Sequence, residues 1–125
     1  AAQRYLEAKD RYPVGSEMWA KATASAFDTL KLSECAEVAK PEWWNDEGLK
    51  ALSERLVRAA PNEVGAIVTR AMVLSGCIGA LWDAGPRSAA ERKEAATLFE
   101  RAAALTGAPG QKAALAGAAL ACRSL

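Results

Sequence analysis

Histidine is absent from all 125 residues. Its absence removes the side chain that titrates nearest neutral pH, the commonest general base and metal ligand, and every His-based catalytic triad. A phosphate-cradling loop is missing too, because Gly76-x-x-Gly79 has no Lys-Ser or Lys-Thr after it. No sign of charge dominates. Lys plus Arg number 16 and Asp plus Glu 15, a net charge of +1, and the signs are mixed along the chain. Neither a basic stripe for a nucleic-acid backbone nor a like-charged tail follows from that balance. The longest weakly polar stretch, Ala71 to Trp82, falls well short of the roughly 20 residues that span a bilayer. No signal peptide is visible. The opening Ala1-Ala2-Gln3-Arg4 is already helix-forming and lacks an initiator Met, so the chain reads as a fragment or a processed protein.

Cysteine is scarce. Cys35, Cys77 and Cys122 are odd in number, far apart and flanked by apolar residues. The expectation is buried reduced thiols in a reducing, intracellular compartment, with one disulfide plus a free thiol as the alternative. Without CxxC spacing or histidine, a zinc site is disfavoured. No cofactor or metal is expected.

What the chain has in abundance is Ala and Leu. Half of it is hydrophobic (51%), and that half favours helix over strand. A single all-α domain over residues 1–125 is expected.

The helices recur. Pro13, Pro61 and Pro109 stand 48 residues apart, each between two helical stretches. After them, shifting by 48 places Ala66 on Ala114, Ile67 on Leu115, Ala71 on Ala119 and Met72 on Leu120. Apolar residues at i, i+1, i+5 and i+6 suit a helix buried over a wide arc. Before the prolines, Leu52-Ser53-Glu54-Arg55-Leu56 matches Leu98-Phe99-Glu100-Arg101-Ala102, 46 residues apart.

These residues resemble the tetratricopeptide (TPR) family. The second helix of a TPR carries a small residue, an aromatic four later, a small residue three after that, and a proline five further on. Ala1, Tyr5, Ala8 and Pro13 have that spacing. Ala95, Phe99 and Ala102 repeat it, with Gly107 at the proline position and Pro109 two beyond. The bulky position of the first helix is Trp19, then Ile67 and Leu115. The chain departs from the family in period, about 48 against about 34. The excess falls in connectors near 30–45 and 76–87. The middle second helix has Leu49, Ser53 and Leu56 where Ala, aromatic and Ala stand in the family. The resemblance implies an α-α superhelical repeat array of TPR-like helix pairs. It also implies a groove lined by the first helices, at Ala20 and Ala24, Val68 and Met72, and Ala116 and Leu120. None of these is the Lys or Asn that the family uses to bind a terminal carboxylate.

Capping signals set the helix map. One helix is expected from the start to about Arg11. Others are expected from Ser16 as N-cap to about Leu32, from Asn45 or Asp46 to before Pro61, and from Asn62 as N-cap to Leu74 or on to Trp82. A fifth follows the Ser88-x-x-Glu91 capping box and ends near Thr106-Gly107, and a sixth starts near Gly110. One or two short helices are expected in the connectors.

No constellation of catalytic side chains assembles, so an enzyme is not expected. The expectation is a non-catalytic scaffold that holds a protein partner, presenting an amphipathic helix or apolar segment, in the groove. A subunit embedded in a large complex and a regulatory domain of a longer enzyme are the alternatives. Trp43 and Trp44 are adjacent and point in different directions, so one is a candidate binding anchor, as is Trp82 in the other connector. With Val68, Met72 and Leu120 they form the candidate partner-binding set. Arg55, Arg58, Arg92, Lys93 and Glu94 read as solvated faces.

Overall fold

The computed structural model describes Glu7 and residues 10–30, 46–76 and 87–124. Among them are five α-helices and no strand: α1 (Glu17–Leu30), α2 (Asp46–Ala59), α3 (Val64–Ser75), α4 (Ala89–Leu105) and α5 (Pro109–Ser124). The tryptophan candidates Trp43, Trp44 and Trp82 lie outside the described residues, as do Cys35, Cys77 and most of the expected opening helix.

Local chemistry explains where the helices begin. Ser16 Oγ accepts the backbone N–H of Trp19 at 3.1 Å, the N-cap geometry expected for α1. Ser88 and Glu91 form a complete capping box at α4, each side chain accepting the other's backbone N–H. Pro109 is the first residue of α5, where its missing N–H costs nothing. The start of α3 differs from expectation. Its N-cap is Glu63, which makes no side-chain cap bond. Asn62 lies one residue too early, and its Oδ1 accepts Arg101 Nη2 of α4 at 3.3 Å instead. At its other end α3 stops at Ser75, because Gly76 takes a left-handed conformation (φ 81°) and donates to the Val73 carbonyl.

α3 is the middle of the molecule. Ala66 packs with Trp19, Ala20 and Ala24 of α1 and with Leu56 of α2 and Ala60 just beyond it. Ile67, Ala71 and Leu74 pack into a second core with Phe99 and four alanines of α4 and with Leu115, Ala119 and Cys122 of α5. Cys122 is buried and forms no disulfide.

Burial recurs at the spacings read from sequence. Trp19, Ile67 and Leu115, 48 residues apart, are all buried; so are Thr23, Ala71 and Ala119, and Ala26, Leu74 and Cys122. These are i, i+4 and i+7 on each helix, one continuous stripe. In α2 and α4 the 46-residue register holds equally: Leu49 with Ala95, Ser53 with Phe99, and Leu56 with Ala102 are buried throughout. Volumes alternate between the two helices, large-small-large in α2 and small-large-small in α4.

The wide apolar arc expected of both later first helices is found only in α3. Ala66 is buried but Ala114 is exposed, and Met72 is half-buried where Leu120 is 67% exposed. The reason is packing. α3 has helices on two sides, whereas α5 packs mainly against α4.

One stripe position is imperfect. Thr23 is fully buried and its hydroxyl has no hydrogen-bond partner among the described residues; its counterparts in the stripe are alanines. Burying a hydroxyl without a partner costs about 1–3 kcal/mol. Thr23→Val keeps the volume and removes the unmet group. It should raise stability by about 1 kcal/mol in urea titration; a loss of stability would mean that the hydroxyl is satisfied.

Candidate functional site

A cleft of about 400 Å³ opens between α1 and α3. Its apolar lining comes from Ala24 and Phe27 of α1 and Val64, Val68 and Met72 of α3. Lys21, Glu63 and Gln111 supply polar groups, with Lys21 Nζ 3.8 Å from Glu63 Oε2. The two helices approach closely at one point, where a Cβ on Gly65 would meet the Ala24 Cβ at 3.6 Å.

Two of the candidate residues, Val68 and Met72, thus share a cleft. They sit one helical turn apart on α3 and are half-buried, their inner atoms resting on the α3–α4–α5 core. Leu120 belongs elsewhere, in a second cleft of about 390 Å³ between α4 and α5. The expected groove position Ala20 is fully buried against α2 and α3 and is not available to a ligand. Gln111 is a lining residue that the groove positions did not include. Its position 48 residues after Glu63, which also lines the cleft, is the signal that could have found it.

The charged residues expected to be solvated divide. Arg58 pairs with Glu54 one turn earlier on an exposed face, and Lys93 is exposed. Arg55 lies over the Trp19 ring, 5.7 Å from its centroid. Arg92 Nη1 donates to the Arg87 carbonyl at 2.7 Å. Glu94 lies 3.6 Å from Arg70, whose Nη1 also donates to the Lys50 carbonyl (2.8 Å) and Ser53 Oγ (3.1 Å). Arg55 and Glu94 thus tie helices together, through Trp19 and Arg70, which spacing along one helix cannot reveal.

Lys50 Nζ stands 2.7 Å from Glu91 Oε2 and so joins α2 to the first turn of α4. The Lys50 ammonium and then the Ser88 N–H hold the Glu91 carboxyl at about 2, down from 4.5. A depressed carboxylate stabilises the fold fully above its unfolded value and less as pH falls towards its folded one. The contribution of Glu91 is therefore complete above pH 4.5 and lost between there and about pH 2. The pair is partly solvated, so screening reduces it to about 1 kcal/mol. Glu91→Gln should lose that amount at pH 7, and the gap between variant and wild type should close by about pH 2 in denaturant titrations; a gap independent of pH would exclude this origin.

Among the described residues no group of three or more Cys, Asp or Glu could hold a metal ion, and no helix is long and apolar enough to cross a membrane. No family model, no curated protein and no solved structure matches this chain.

Proposed function

We propose that this chain is a non-catalytic protein-interaction domain, a TPR-like array of helix pairs that holds an apolar or amphipathic segment of a protein partner. The cleft between α1 and α3 carries the reading. Its apolar lining includes Ala24, Val68 and Met72, positions that the family resemblance implies face a groove. The polar groups beside them, Lys21 with Glu63 and Gln111, suit the rim of a site that takes an apolar side chain and leaves the backbone of the ligand in water. The array reading draws on the 48-residue recurrence of burial in α1, α3 and α5 and the 46-residue recurrence in α2 and α4. Stacked helix pairs bury equivalent positions in each unit and leave one face for partners.

Met72→Glu places a charge on the cleft wall. Loss of an apolar anchor costs about 2 kcal/mol, or roughly 30-fold in affinity. Co-purification from the native source with mass spectrometry should lose its specific partners on this substitution. The circular dichroism spectrum and melting cooperativity should stay those of the wild type. Partners retained in full by a folded Met72→Glu protein would count against the cleft as the site.

A further inference from the structure

The second cleft, between α4 and α5, is not explained by a partner held between α1 and α3. Alanines of both helices and Leu120 supply its apolar lining, and Glu100 and Lys112 its charged groups. Leu120 is 67% exposed, more than any other large hydrophobic residue described. The 48-residue register makes this exposure anomalous. Ala20 and Ala24 on α1 are buried, Val68 and Met72 on α3 are half-buried, and their counterparts Ala116 and Leu120 on α5 are exposed. On α1 the covering element includes the next first helix, α3, at Gly65. No described helix does this for α5.

The charges indicate what would cover it. The α4 side of the cleft carries Glu100 and the α5 side carries Lys112, so the two sides differ in sign. Across its whole length, Pro109–Ser124, α5 has only the basic residues Lys112 and Arg123 and no acidic one. Two α5 helices laid on one another would therefore oppose like charges. A two-fold axis running along the cleft instead places each α5 over the α4 of a second copy. Lys112 then faces the partner subunit's Glu100, twice, by symmetry. Opposite signs on the two sides of one patch make it complementary to itself.

We propose that the α4–α5 cleft is a two-fold interface between copies of this chain, with Leu120 buried at its centre and Lys112 paired with the partner subunit's Glu100. The contact is small and the association correspondingly weak, in the micromolar range or above. It uses a surface separate from Val68 and Met72, so dimerisation and partner capture can fail independently.

Sedimentation equilibrium of the 125-residue chain over a wide concentration range tests this directly. The expected result is a reversible monomer–dimer equilibrium that stops at the dimer. Leu120→Glu should weaken it at least tenfold. Glu100→Lys and Lys112→Glu should each weaken it, and the double exchange should restore it, because the pair is then reversed rather than lost. All three residues are exposed, so the far-ultraviolet spectrum, and the melting temperature at concentrations where every variant is monomeric, should be unchanged and serve as the folding control. A wild-type chain that stays monomeric at the highest concentration would overturn the proposal; that is the outcome expected if the cleft is covered by a further helix of a longer chain or by another protein. Open-ended growth beyond the dimer would overturn it too, as would a double exchange no tighter than the single variants.

Discussion

Phe99→Ala should cost about 3–5 kcal/mol of folding stability, a large share of what a domain of this size has to lose. Phe99 is buried in the core that joins α3, α4 and α5. Its neighbours one turn away on α4 are Ala95 and Ala102, also buried, and alanine has no side chain that can move into the void. The corresponding position in α2 shows what a small residue requires. Ser53 is buried there, and its hydroxyl accepts Arg70 Nη1 at 3.1 Å while Leu49 and Leu56 supply bulk on either side. The residue 48 after Arg70 is Ala118, which packs against the Phe99 core. The same register is thus packed by a polar contact between α2 and α3, Ser53 with Arg70, and by an apolar core between α4 and α5 that holds Phe99 and Ala118. Phe99→Ser should then be as damaging as Phe99→Ala, because no arginine stands opposite to use the hydroxyl. Equilibrium denaturation followed by circular dichroism gives the comparison. A loss under about 1 kcal/mol for Phe99→Ala would mean that the core collapses around the gap, contrary to the packing described.

The second large effect is expected at Arg87. This residue is buried, and its Nε donates to the Val73 carbonyl at 3.0 Å. Val73 also receives the Gly76 N–H, so the guanidinium completes the C-terminal cap of α3. It does so from the residue just before the Ser88 N-cap of α4. One side chain therefore ties the end of one helix to the start of the next. A cation at a helix C-terminus meets the negative end of the macrodipole, and a hydrogen bond to a charged group contributes about 1.5–3 kcal/mol. Arg87→Met keeps most of the apolar stem and removes the charge and the donor, so a loss of about 2 kcal/mol is expected. Arg87→Lys should recover the dipole component without the planar donor at Nε. Hydrogen exchange localises the effect. The amides in the last turn of α3 should exchange faster in Arg87→Met, while those at the middle of α4 change only with global stability. Uniform change at both places would indicate a general packing defect and not a lost cap.

The chain's sequence, taken alone, determined whatever depends on contacts within one or two helical turns. Ala and Leu content made the chain helical. Ser16, the Ser88–Glu91 capping box and Pro109 placed helix ends, because caps act between residues no more than about four apart, whereas the end of α3 at Gly76 was left open between Leu74 and Trp82. The equivalence of Trp19, Ile67 and Leu115 was legible from the 48-residue recurrence of short apolar patterns, each of which lies within two turns of one helix. Val68 and Met72 could be placed together on α3 by the same rule. Tertiary structure alone decided what lies opposite each face. Asn62 is a sound cap by its neighbours, yet it bonds Arg101, 39 residues away. Arg87 and Arg70 reach 14 to 20 residues back to neighbouring helices, contacts that no local spacing announces. Leu120 repeats the pattern of Met72, yet it lies in a different cleft and stands exposed. Helical periodicity says which side chains face the same way. Whether a helix stands opposite to cover them depends on how helices from distant parts of the chain pack, and no local pattern carries that information.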